Sequence, residues 1–118
     1  MRTSVARTFT FDSAHQLPWH SGKCRNLHGH TYRLEVTVTG PLNEDGIVMD
    51  FADLASVVRS TIVQRYDHQF LNDHFDNPTA EVLATSFFKE LEAAGLAITR
   101  LTLWETMNSY AIVEGEQA

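Results

Sequence analysis

The chain has 118 residues, 43% of them apolar and 20% charged, so a single domain over residues 1–118 with a small buried core is expected and a disordered chain is not. A net charge of −6 argues against a nucleic-acid-binding surface, which would be basic, but leaves room for a small anionic ligand held by a few local cations. The lone cysteine, Cys24, cannot form an internal disulfide, no apolar run approaches the roughly 18 residues of a membrane span, and no apolar leader follows Met1; a cytoplasmic setting, away from membranes, is the expectation.

Val5, Phe9 and Phe11 alternate with Ala6, Thr8, Thr10 and Asp12, the period of a first strand. Residues 13–29 read as irregular, with Pro18, Gly22 and Gly29 as breakers, and His15 falls where the first strand ends. Tyr32, Leu34, Val36 and Val38 alternate with Arg33, Glu35, Thr37 and Thr39, the clearest strand in the chain, and Gly40-Pro41 ends it. Ile47-Val48-Met49 reads as a short extended piece. Asp50 is a good N-cap for a helix whose apolar positions are Phe51, Leu54, Ala55, Val58, Ile62 and Tyr66. Residues 67–78 are polar and loop-like. A second helix starts at Asn77-Pro78-Thr79, capped by Asn77 or Thr79, buries Leu83, Phe87, Leu91 and Ala94, and closes at Gly95. Ile98 to Glu105 alternates as a third strand, and residues 110–113 form a short fourth. Strands at both ends with helices between them predict an α+β fold, a four-stranded antiparallel sheet with two helices on one face. The other face is left bare, which predicts a partner subunit or a ligand.

Five constellations carry chemistry. In extended backbone His28 and His30 point the same way, in phase with the apolar face of the strand that follows. If the first two strands pair as a hairpin, His15 arrives beside them, and three histidines converging from two strands make a catalytic zinc site with a fourth position open. Cys24, four residues before His28, is either the fourth ligand of a closed site or a thiol acting as base or nucleophile beside the metal. Asp67-His68 is a base-and-orienter pair if the side chains meet. Glu105 continues the face of Leu101 and Leu103, where a carboxylate needs donors such as the paired N–H groups of a guanine or pterin edge. His20 and His74 read as surface loop residues.

Phe11-Asp12-Ser13-Ala14-His15, Cys24-Arg25-Asn26-Leu27-His28-Gly29-His30, Asp67-His68, Asn77-Pro78-Thr79-Ala80-Glu81 and Trp104-Glu105-Thr106 resemble, in order and spacing, the 6-pyruvoyltetrahydropterin synthase family. The resemblance implies the tunnelling fold, in which three subunits close a β-barrel and two trimers stack into a hexamer. It implies Zn2+ on His15, His28 and His30, a catalytic Cys24, and Asp67 and His68 as a proton-transfer pair lent by a neighbouring subunit. It further implies a pterin ring anchored by Glu105 with help from Thr79. The three-residue gap between Cys24 and His28, and Leu71-Asn72-Asp73, look like the bacterial 6-carboxy-5,6,7,8-tetrahydropterin synthase branch. That branch converts 7,8-dihydroneopterin triphosphate into a precursor of queuosine and other 7-deazapurines. Gln16 departs from the pattern, which has Arg after the first zinc histidine.

Overall fold

The computed structural model describes residues 1–115; the last three residues of the expected 1–118 domain lie outside the described residues. Two long strands, β1 (Thr3–His15) and β2 (His28–Gly40), form an antiparallel hairpin paired along its whole length, from Thr3 opposite Gly40 to His15 opposite His28. The irregular stretch is therefore shorter than expected, residues 16–27, because pairing with the partner strand keeps residues 13–15 and 28–29 extended without an apolar pattern of their own.

A two-residue strand β3 (Gln69–Phe70) adds parallel to the edge of β1. Two residues carry no period, so the polar stretch 67–78 hid it. β4 (Ile98–Trp104) pairs antiparallel with β2 and bulges at Thr99, and β5 (Tyr110–Glu114) closes the sheet in the order β3-β1-β2-β4-β5. The expected four antiparallel strands are thus present, with β3 as an unforeseen fifth. Residues 47–49 form no strand.

The first helix begins at α1 (Phe51–Val58), with the Asp50 carboxylate accepting from the Ala52 N–H at 2.7 Å. It passes through a π-helical turn, Arg59–Val63, into a last α turn, α2 (Gln64–Tyr66). The sequence explains that turn. Leu54, Val58, Ile62 and Tyr66 are all buried and lie four residues apart. Spacing of four overshoots the 3.6-residue α turn by about 40° each time, so by Tyr66 an unbroken α-helix would have rotated its stripe off the core. A wider turn takes up the excess. Phe51, expected in the stripe, is 53% exposed.

The second long helix, α3 (Ala80–Ala93), is capped by the Thr79 hydroxyl, which accepts from the Val82 N–H at 3.1 Å. At its other end Gly95 takes φ +98°; its N–H bonds the Glu92 carbonyl and the Leu96 N–H bonds that of Leu91, a Schellman closure. Ala94 therefore sits in the closing turn, exposed, rather than in the buried stripe.

Both helices pack on one face of the sheet against Phe9, Phe11, Tyr32, Leu34, Val36, Leu101 and Leu103. Phe87 of α3 lies at the centre, with its ring 6.0 Å from Phe11 and 5.1 Å from Tyr66. The opposite face is polar, with Arg33 stacked 4.1 Å over Trp104 and with Tyr110 and Ile112 exposed. Among the described residues no helix is long and apolar enough to cross a membrane. Phe87→Ala removes a fully buried ring and should cost about 3–5 kcal/mol, read as a lower midpoint in urea unfolding.

Candidate metal centre and active site

The hairpin register brings the three histidines together at one end of the sheet. His15 closes β1 and is fully buried; His28 and His30 open β2 on the same face. The ring centroids of His15 lie 4.5 Å from His28 and 5.1 Å from His30. Glu105, just past β4, completes a group whose ligand atoms all lie within 4.8 Å of one another. Its backbone is held by the turn to β5, where the Glu105 N–H donates to the Ser109 carbonyl at 2.9 Å.

Two backbone carbonyls orient the rings. His15 Nδ1 lies 2.8 Å from the Pro78 carbonyl and His28 Nδ1 2.7 Å from the Asn26 carbonyl. Each carbonyl can only accept, so both rings carry their proton on Nδ1 and present a lone pair at Nε2. Those two Nε2 atoms stand 2.9 Å apart. Two lone pairs facing at that distance repel unless a cation lies between them. His30 Nε2 is buried and lacks a hydrogen-bond partner; the Glu105 carboxylate is 3.3 Å away but out of alignment. An orphaned buried nitrogen beside two opposed lone pairs is a donor set that fits a divalent metal.

Burial disfavours the charged form of two of the rings. It lowers the pKa of His15 and of His30, outweighing the pull of Glu105 toward the protonated form. Burial also pushes the Tyr32 phenol up, so its O–H persists 3.3 Å from His15 Nδ1.

Cys24 sits half-buried in a single 3-10 turn, Lys23–Arg25, whose backbone is tied to the strand end by the Leu17 N–H donating to the Cys24 carbonyl at 2.8 Å. Its thiol is not among the clustered ligand atoms. Thr79 lies one residue from the carbonyl that orients His15.

Asp67 and His68 do meet: His68 Nδ1 lies 3.0 Å from Asp67 Oδ2, while Asp67 Oδ1 accepts from the Asp12 N–H at 2.9 Å. The Asp12 N–H bond, then the His68 bond, hold the Asp67 carboxyl below its ordinary value. His68 takes a left-handed φ of +57° and its ring is 79% exposed. This pair clusters with Asp12, which faces away from His15 across the sheet, and forms a group separate from that of the three histidines. A cleft of about 570 Å³ runs beside it, lined by Asp12, Gly29, His30, Thr31, His68 and Phe70 among others.

Sequence reading missed the Asn26 and Pro78 carbonyls, because a backbone acceptor has no residue identity. It also passed over Tyr32, although its phase with His28 and His30 was visible.

A β-hairpin that packs under two helices and ends in three converging imidazoles defines an α+β domain with a metal-capable site. More narrowly, the chain belongs to the 6-pyruvoyl tetrahydropterin synthase family, whose pattern it matches over residues 4–116. It is 37% identical to the 6-carboxy-5,6,7,8-tetrahydropterin synthase of Haemophilus influenzae, across 90% of this chain and 94% of that one. The Synechocystis protein of the same name is 38% identical, across 91% and 89%. The 6-pyruvoyl tetrahydropterin synthase of Caenorhabditis elegans shares the fold at a TM-score of 0.85 and 24% identity, covering 98% of this chain and 97% of that one.

The lowered His15 and His30 values carry a sign. Below about pH 6.5, the ordinary histidine value, the unfolded chain takes up protons that the folded chain refuses. The metal-free protein should therefore lose stability as pH falls from 7.5 to 5.5. Melting curves in chelator will show this, and His15→Leu should flatten the dependence.

Proposed function

We propose that the protein is a zinc-dependent 6-carboxy-5,6,7,8-tetrahydropterin synthase, which converts 7,8-dihydroneopterin triphosphate to the carboxylated tetrahydropterin with loss of acetaldehyde and triphosphate. The observation that carries this reading is the convergence of His15, His28 and His30, with the Nδ1 protons of His15 and His28 committed to backbone carbonyls, within a chain of this family. The named relatives, at 37% and 38% identity, support the carboxy-forming branch. The product would feed 7-deazapurine formation, queuosine included.

His15, His28 and His30 would hold the zinc through Nε2, and the bound ion would polarise the substrate's side-chain oxygens as a Lewis acid. The Cys24 backbone is tied to Leu17, two residues after His15, and its thiol lies outside the ligand cluster, which suits a group that moves protons at the side-chain carbons. The Asp67 carboxylate keeps a proton on His68 Nδ1 and so leaves Nε2 as the working nitrogen. Because this pair forms a group separate from the histidines of its own chain, it suits a site completed by another copy. That favours a homo-oligomer, a hexamer of two trimers, with the polar sheet face and its exposed Tyr110 and Ile112 turned inward. The Glu105 carboxylate lies in the cluster and would accept the N–H pair of the pterin edge, and Thr79 would help in the same pocket.

The chemistry balances without an external redox cofactor. Triphosphate leaves, the ring gains two electrons from the side chain, and the bond between the first two side-chain carbons breaks. The carboxylate needs one oxygen more than its carbon bore, so one water is consumed. The single domain, its one thiol and a soluble pterin substrate suit the cytoplasm.

Incubation with 7,8-dihydroneopterin triphosphate should release acetaldehyde and the carboxylated tetrahydropterin in equal amounts. A pyruvoyl product without acetaldehyde would assign the other branch, and no turnover would sink the enzyme reading. Cys24→Ala separates the two roles open to the thiol. Zinc content and melting temperature should hold while turnover drops by about a hundredfold or more, the scale of a lost acid–base group. Loss of zinc together with activity would make Cys24 a ligand.

A further inference from the structure

The edge of β1 that faces away from β2 raises a hydrogen-bonding question that the fold answers with side chains. β3 pairs with Ser13 and Ala14 and then stops, because the chain turns into a 3-10 turn, Leu71–Asp73. Beyond Ala14, among the described residues, no strand pairs with β1 on that side. Gln16 is the next residue whose N–H and C=O would need a partner there, and it is half-buried.

Asn72 supplies both. Its Oδ1 accepts from the Gln16 N–H at 2.9 Å, and its Nδ2 donates to the Gln16 carbonyl at 2.9 Å. A carboxamide thus takes the place of a peptide group and extends the strand by one residue. The other end of the same short edge is held alike, by Asp67 Oδ1 on the Asp12 N–H and the His68 N–H on the Asp12 carbonyl. Leu71, fully buried, anchors the turn from which Asn72 reaches across.

The position of Gln16 gives this clamp a chemical consequence. On one side is His15, whose ring nitrogen faces that of His28. On the other is Leu17, whose N–H holds the carbonyl of Cys24. Gln16 is the joint between the metal-capable ring and the turn that carries the thiol. We infer that Asn72 is a positioning residue for the reaction: by fixing the Gln16 backbone from both sides it sets His15 against its partners and Cys24 against the cluster. The inference rests on the metal site and thiol role proposed above. It does not depend on the Gln16 side chain, because Asn72 binds the Gln16 backbone.

The test compares the wild type with Asn72→Asp and Asn72→Ala, using Asp73→Asn in the same turn as control. Asp keeps the shape and an acceptor for the Gln16 N–H but sets an oxygen against the Gln16 carbonyl. Each metal-free protein is titrated with Zn2+ alone against a chromophoric chelator, well below its melting temperature. Cys24, the only thiol, is alkylated with iodoacetamide in parallel. Both Asn72 variants should bind Zn2+ about tenfold more weakly or worse, the scale for losing a group that orients a ligand. Their alkylation should quicken several-fold as the turn loosens, while Asp73→Asn matches the wild type. Unchanged zinc affinity and alkylation, even with a lower melting temperature, would make Asn72 merely structural and overturn the inference. A wild type that binds no Zn2+ would instead sink the metal reading, leaving the alkylation rates to decide on Asn72. If Asn72→Ala does not fold, Asn72→Asp carries the same comparison.

Discussion

The site depends on the register of one hairpin. β1 and β2 are paired from Thr3–Gly40 to His15–His28 without an interruption. Side chains alternate across a sheet, so a slip of one residue would turn Phe9 and Phe11 to the polar face and take His15 away from His28 and His30. The apolar cost of that slip is large, because Phe11 stacks on Tyr32 at 5.1 Å and both are almost fully buried. The same burial that holds the core together therefore holds the imidazoles in place. A ligand set at the end of a strand inherits the precision of the strand.

The histidines then need orientation as well as position. Burial favours the neutral form of His15 and His30, and a neutral imidazole has one donor and one acceptor. Carbonyls from two separate segments, at Asn26 and Pro78, claim the donors. The Pro78 carbonyl is available because α3 begins only after it, with Thr79 as its cap. The start of a helix and the chemistry of a ring at a strand end are thus linked through one residue.

Segment 67–79 links the parts of the molecule that do different work. It presents the Asp67–His68 pair, pairs briefly with β1, clamps Gln16 through Asn72 and leads into Pro78. Asn77 adds a further tie, accepting from the Trp19 indole at 2.7 Å, on the same loop that carries Cys24. The left-handed backbone at His68 turns the chain from the helix onto the edge of β1. Few of these bonds involve apolar area; most satisfy backbone groups at an edge where pairing strands run out.

Alternation in β1 and β2, the cap at Asp50, the choice of Asn77 or Thr79 for the second cap, and the Gly95 terminus were legible because each is a local signal: a period, a capping side chain, a residue free to adopt positive φ. The metal-capable trio was legible for the same reason, since two of its members sit two apart on a strand and the third at the end of its neighbour. What escaped was non-local. β3 exists only because β1 offers an edge, and the π turn only because four-residue spacing must stay on the core. Carbonyls at Asn26 and Pro78, and the grip of Asn72 on Gln16, depend on which backbone groups remain unpaired once the sheet has formed. Residue identity sets what a side chain can donate or accept. Only the tertiary structure decides which buried group is left needing it.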